Sequence, residues 1–145
     1  MKKEGKDLLL KDLCARLPYG IICEDGYGNV LELNGIDKPN SITFKCSDKT
    51  FWTTDLDKCK PYLFPLSSMT EEQKIECFKG TPLEIDKYGD VAVKDDFYGN
   101  SQYTDLEIYL EVIDWLNKNH FDYRGLIARC LAIDATGLNI YKEEK

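Results

Sequence analysis

Apolar residues recur with helical spacing at both ends of the chain, and with alternating or interrupted spacing in between. Near the start, Leu9, Leu10, Leu13, Cys14 and Leu17 share one stripe at a period of about 3.6 residues, which predicts a helix over Asp7–Arg16. Pro18 ends it, because the residue before a proline avoids the helical region. Met1–Lys6 is expected to fray. The pattern then turns to strand. Gly20–Glu24 and Val30–Gly35 read as a β-hairpin around the turn Asp25-Gly26-Tyr27-Gly28-Asn29. Asp37-Lys38-Pro39-Asn40 turns the chain into a third strand over Ser41–Cys46, with Ile42 and Phe44 on one face, and Phe51–Thr54 makes a fourth.

Lys60-Pro61-Tyr62-Leu63-Phe64-Pro65-Leu66 fits neither period. Two prolines four apart argue against a helix interior and against a regular central strand. The apolar residues between them argue against a loose linker, so an extended segment pinned on the core is expected. Ser68-Met69-Thr70-Glu71 has the spacing of a capping box for a short helix running to about Phe78 and stopped near Gly80 and Pro82. Leu83–Ile85 and Val91–Val93 form a second hairpin around Tyr88-Gly89-Asp90, and Asp95–Tyr103 reads as loop.

Thr104-Asp105-Leu106-Glu107 is a second capping box. It opens a helix with a core stripe of Leu106, Tyr109, Leu110, Ile113 and Leu116, a flanking stripe of Ile108, Val112 and Trp115, and an acidic face of Glu107, Glu111 and Asp114. Asn119 or His120 ends it. Asp122 then caps a further short helix with Leu126, Ile127, Cys130 and Leu131 facing inward. The expectation is one α+β domain over residues 1–145: a small curved antiparallel β-sheet, a meander, packed against the N-terminal and C-terminal helices.

Composition narrows the function classes. At 43% hydrophobic and 31% charged, 145 residues can bury a core without staples. The formal net charge is −7, and Leu83–Asp114 alone holds nine acids against two lysines, the same excess of seven. Such a chain repels phosphate, so nucleic-acid binding is not expected. No apolar run is long enough for a membrane span or a signal-peptide core, which leaves the cytoplasm as the expected compartment. The six cysteines include no C-x-x-C pair and face a single histidine, so they read mostly as small buried thiols, with neither metal nor cofactor. The glycines of Asp25–Asn29 lack the spacing of a phosphate loop. Asp90, Asp95 and Asp96 lack that of a calcium loop.

The chemistry-bearing residue types concentrate in Ile113–Ala135. Trp115, His120, Phe121, Tyr123 and Arg124 have the composition of a protein-binding hot spot, beside the acidic face of Glu107, Glu111 and Asp114. The competing reading packs Trp115 under the last helix and gives Arg124 a carboxylate such as Asp122 or Asp114. His120, Cys130 and Asp122 supply the residue types of a cysteine–histidine catalytic group, but a thiol on a buried stripe is inert.

Three blocks, Asp12–Gly20, Lys60–Thr70 and Trp115–Asn117 continuing through His120–Ile127, resemble a family of short uncharacterised proteins of anaerobic gut bacteria, often carried on prophages and other mobile elements. The resemblance spans most of the chain and brings no site residues with it. It implies a cytoplasmic accessory protein of a mobile element. With the residue reading, this points to a non-enzymatic protein that binds a protein partner through the Trp115–Arg124 corner and the acidic face. The alternatives are an acidic DNA-mimicking inhibitor of a nucleic-acid enzyme and a small enzyme using Cys130 and His120.

Overall fold

In the computed structural model, which describes residues 2–38, 41–46, 48–94 and 106–141, the chain opens with helix α1, Lys3–Arg16. It begins within the segment expected to fray. Its buried positions are Leu9, Asp12, Leu13 and Arg16, the i, i+3, i+4, i+7 face of a helix. The apolar stripe had pointed to Leu10 and Cys14 as well, yet Leu10 is half-buried and Cys14 exposed. The helix is rotated so that a charged pair, Asp12 and Arg16, enters the core instead.

The sheet begins with β1 (Ile22–Glu24), β2 (Val30–Lys38), β3 (Ser41–Lys45) and β4 (Phe51–Asp55), an antiparallel meander in the expected places. Asp25 holds the first turn: its carboxylate accepts the N–H groups of Tyr27 at 2.8 Å and Asn29 at 3.1 Å. Gly26 is needed there, since its φ is +88° and a Cβ would stand 2.8 Å from Lys58 Cβ and 2.9 Å from the Lys58 carbonyl. Two register shifts in the β2–β3 ladder bend the sheet.

The segment with two prolines is not merely an extended strap. It is strand β5 (Lys60–Pro65), paired antiparallel with β1 and parallel with β8 (Phe121–Asp122) and β9 (Ile133–Asp134). The seven-stranded sheet is therefore mixed and not purely antiparallel. Parity explains why the prolines fit. Alternate residues of a strand aim their backbone groups at alternate edges, so Pro61, Leu63 and Pro65 share one edge and Tyr62 and Phe64 the other. Phe64 supplies the N–H that reaches the His120 carbonyl at 2.8 Å, and the Leu63 carbonyl accepts the Ala135 N–H at 2.8 Å. Neither bond asks a proline for a donor.

Helix α2 (Glu71–Phe78) is capped by Thr70, whose hydroxyl accepts the Gln73 N–H while Gln73 Oε1 accepts the Thr70 N–H. The capping box thus starts two residues later than Ser68, whose hydroxyl donates to the Pro65 carbonyl inside a 3-10 turn. Strands β6 (Leu83–Ile85) and β7 (Val91–Val93) form the second hairpin. Helix α3 (Leu106–Lys118) follows, and its expected cap at Thr104 and Asp105 lies outside the described residues. Its buried residues are Val112, Leu116 and Asn117, whereas Leu106 and Leu110 are 67% and 51% exposed. The core stripe runs through Val112, the position expected on the flank, because this line faces Phe78, Leu83 and Phe121.

No helix follows Asp122. Its carboxylate still collects the N–H groups of Leu126 at 3.0 Å and Ile127 at 2.9 Å, as a cap would. The chain then turns repeatedly, with Gly125 and Cys130 at φ +73° and +61°, which no continuing helix allows. Leu126 and Leu131 are buried as expected, but Cys130 is exposed. Two apolar clusters result. One joins α1 to β1–β5 through Leu9, Leu13, Ile42, Phe44 and Leu63; the other joins α2, α3 and β6 through Met69, Phe78, Leu116 and Phe121.

Between the two clusters lies Arg16, fully buried. Its Nε donates to Asp12 Oδ2 at 2.8 Å and its Nη2 to the Phe121 carbonyl at 2.6 Å. Arg124 reaches Asp12 Oδ1 at 3.3 Å. Replacing Arg16 with alanine leaves Asp12 buried with a weaker partner and frees the Phe121 carbonyl. The expected cost is about 3–5 kcal/mol, read from urea denaturation; a loss under about 1 kcal/mol would show that the joint is dispensable.

Candidate functional site

The Trp115–Arg124 corner is built where α3 stops. His120 sits at φ +65°, a left-handed position that turns the chain, and its N–H reaches the Asn117 carbonyl at 3.2 Å. The Trp115 ring stacks on Phe121 with centroids 5.8 Å apart and planes 14° from parallel. The Tyr123 hydroxyl donates to Asn117 Oδ1 at 2.9 Å. The Arg124 guanidinium lies 4.7 Å from the centre of the Tyr123 ring, with Arg16 at 5.4 Å. Its carboxylate partner is Asp12, not Asp122 or Asp114. Phe121 is buried, and Trp115, His120, Tyr123 and Arg124 are half-buried. Glu107, Glu111 and Asp114 are exposed on α3, while Glu84, Asp86 and Asp90 belong to the β6–β7 hairpin, so the described acids of the negative segment divide between two elements.

His120 also faces a cleft of about 740 Å³ whose walls include Tyr19, Glu32, Phe64, Gln73, Lys118 and Tyr141. The imidazole stacks on the Tyr141 ring at 3.7 Å. Tyr141 enters where β1 and β5 part: its hydroxyl accepts the Ile22 N–H at 2.9 Å and donates to the Tyr62 carbonyl at 2.8 Å. Burial, and secondarily the Arg16 charge, push the His120 pKa down to about 4. The imidazole is therefore neutral at physiological pH. Cys130 stands in the turn beyond Gly125 and is not part of this cleft, so His120 and the thiol are not brought together in one site. Among the described residues, no three His, Cys, Asp or Glu side chains are placed to hold a metal ion. None of the helices described is long and apolar enough to cross a membrane.

The surface that the sequence reading passed over lies at the far edge of the sheet. Phe51, Trp52 and Tyr27 are 61%, 42% and 58% exposed. Tyr27 meets Trp52 edge-on at 6.1 Å, and the Lys58 ammonium stands 4.8 Å over the Tyr27 ring. Strand β4 pairs only with β3 among the described strands. Its parity is settled by the bond from Cys46 N–H to the Thr50 carbonyl, 2.8 Å, just before the strand. Counting on by twos, Trp52 and Thr54 turn their backbone groups to β3, and Phe51, Thr53 and Asp55 turn theirs outward. One signal could have found this surface: adjacent aromatics in a strand point to opposite faces, so Phe51 and Trp52 cannot both enter one core.

Two outcomes follow for the cleft. An unfolded imidazole takes up its proton as pH falls through about 6.5, and the folded one resists until about 4. The stability His120 contributes is thus complete above the unfolded value and is lost as pH drops between the two. The single histidine gives one NMR titration, expected near pH 4; a midpoint at or above about 6 contradicts the packing described. Tyr141→Phe keeps the ring stack and removes the hydroxyl, at an expected cost of about 1–2 kcal/mol in thermal or urea unfolding.

Compared with known proteins, the chain matches no family model, no curated protein sequence and no solved structure.

Proposed function

We propose that the protein works by binding another protein chain, through the outer edge of β4 and the aromatic residues at its end, as an accessory component and not as a catalyst. The observation that carries this is the row of backbone donors and acceptors at Phe51, Thr53 and Asp55, which no other described strand pairs, beside exposed Phe51, Trp52 and Tyr27. Such an edge is a template for strand addition, in which main-chain bonds give affinity and flanking side chains give selectivity. The Trp115–Arg124 corner supports the reading in the opposite sense, since its rings and cations contact each other. The mobile-element setting implied by the resemblance of the three sequence blocks belongs to the same proposal.

The test is photo-crosslinking from position 53 in cells, followed by reconstitution of the captured pair from purified chains. Phe51→Ser with Trp52→Ser is expected to weaken that pair at least about tenfold with little change in folding, because both rings are already exposed. Glu107→Lys with Glu111→Lys is expected to change it less than about twofold. The reverse pattern would move the docking surface to the acidic face of α3.

A further inference from the structure

We propose that the cleft at His120 binds a short peptide with both ends free, its carboxylate held at the end of α3 and its ammonium at Glu32. This site is independent of the β4 edge, which lies at the far side of the sheet.

The cost concentrated at His120 points to a contact there. Its backbone is left-handed, at φ +65°. A residue needed only to end α3 would be glycine or asparagine, which take that conformation with less strain. Its Nδ1 is buried with no hydrogen-bond partner among the described residues. A sealed N–H costs more than a sealed lone pair, so the proton belongs on Nε2. Nε2 is not sealed in this way, and the ring lines the cleft. Backbone strain and an orphaned polar atom at one residue mark it as held for a contact. What it offers the cleft is one uncharged hydrogen-bond donor.

Other donors line the same end. Lys118 is the last residue of α3. Gln73 spends its Oε1 on the Thr70 N–H, which leaves its amide nitrogen to donate. Thr70 Oγ accepts the Gln73 N–H, which leaves its hydroxyl proton. A carboxylate, with two acceptor oxygens and one charge, matches this set. A phosphate dianion would meet a single cation here and the repulsion of Glu32 besides.

The opposite end is an acceptor. Cys23 and Leu63 join the cluster around α1, so by strand alternation Ile22 and Phe64 face the other side of the sheet, where the cleft lies. Glu32 pairs directly with Ile22 and shares that face. A Cβ at Gly20 would stand 3.2 Å from Glu32 Oε1, so the carboxylate leans over Gly20, itself part of the cleft wall. Neither Glu32 nor Lys118 makes an ion pair among the described residues. Apolar surface of Ile22, Phe64 and Tyr141 lies between the two charges.

Sheet order sets the length of the ligand. From β2 to β8 is three strand spacings, about 14 Å. Hydrogen bonds of about 2.8 Å at each end leave roughly 8–11 Å for the ligand. An extended chain spans about 3.3–3.6 Å per residue, so about three residues fit and a single amino acid reaches only one end. The cleft, about 740 Å³, has room for them.

Trialanine titrated into the full chain at neutral pH is the test, followed through the ring signals of the single histidine and the backbone amides by NMR. The expected Kd lies between about 10 µM and about 1 mM. N-acetyl-trialanine and trialanine amide are each expected to bind at least about fivefold more weakly. Glu32→Gln and Lys118→Met change exposed side chains and leave folding intact. In Glu32→Gln the penalty for acetylation is expected to vanish and that for amidation to remain; in Lys118→Met the penalty for amidation shrinks and that for acetylation remains. His120→Asn suits the left-handed turn and is expected to weaken trialanine at least about fivefold, with the circular dichroism spectrum kept. No shift up to about 10 mM trialanine overturns the proposal. So does binding that acetylation, amidation and both charge variants leave unchanged.

Discussion

Everything in this structure turns on a charge that is out of water. Arg16 is fully buried at the last turn of α1, where it joins that helix to residues 121–124. Asp12 lies on the same helix face, the Phe121 carbonyl starts β8, and Tyr123 and Arg124 close over the pair. Burying an ion pair costs desolvation that attraction repays only in part. Asp12 shows this directly. Burial raises its pKa, the pull of Arg16 and Arg124 lowers it, and the net shift is upward despite a direct ion pair. The cluster is not a source of surplus stability. In the observed placement of residues 121–124 against α1, Arg16 Nε and Nη2, Asp12 and Arg124 all find partners.

The cluster joins two of the three sequence blocks, and strand pairing brings in the third. The helix end at Asp12–Gly20 supplies Arg16. The proline-bounded block supplies β5, whose Phe64 N–H takes the His120 carbonyl. The block around His120–Ile127 supplies β8 and the Asp122 carboxylate that holds the following turn. Arg16 and Phe121 are 105 residues apart, and Tyr141 and Ile22 are 119 apart. Local pattern carries no information about such pairs. It does carry α1, the β1–β2 and β6–β7 hairpins, the meander and α3, because each of these is decided by neighbours within a few residues.

The errors of the sequence reading have the same cause. Cys14 fell on the apolar stripe of α1, but the buried line follows Asp12 and Arg16, whose partners come from the other end of the chain. The two prolines argued against a central strand, yet their shared parity lets β5 bond on both sides. The cap at Asp122 was legible, and the helix it announced was not formed because Gly125 and Cys130 take left-handed positions. At the candidate site, the scarcity of Trp, His and Arg drew attention to the Trp115–Arg124 corner. A packed corner needs those residue types for its own contacts, and composition alone does not separate that from a docking surface.

The two sides of the sheet are finished differently, and the difference bears on function. Beyond β1, the chain supplies β5, then β8 and β9, and seats Tyr141 in the gap where β1 and β5 diverge. At β4 it supplies nothing comparable among the described residues. The strand is short, has no proline, and carries one exposed charge, Asp55. Two aromatic rings stand at its start instead. The fold thus puts the Asp12, Arg16 and Arg124 charges and Tyr141 into closing one side of the sheet, while among the described residues the outer edge of β4 is left without a strand partner.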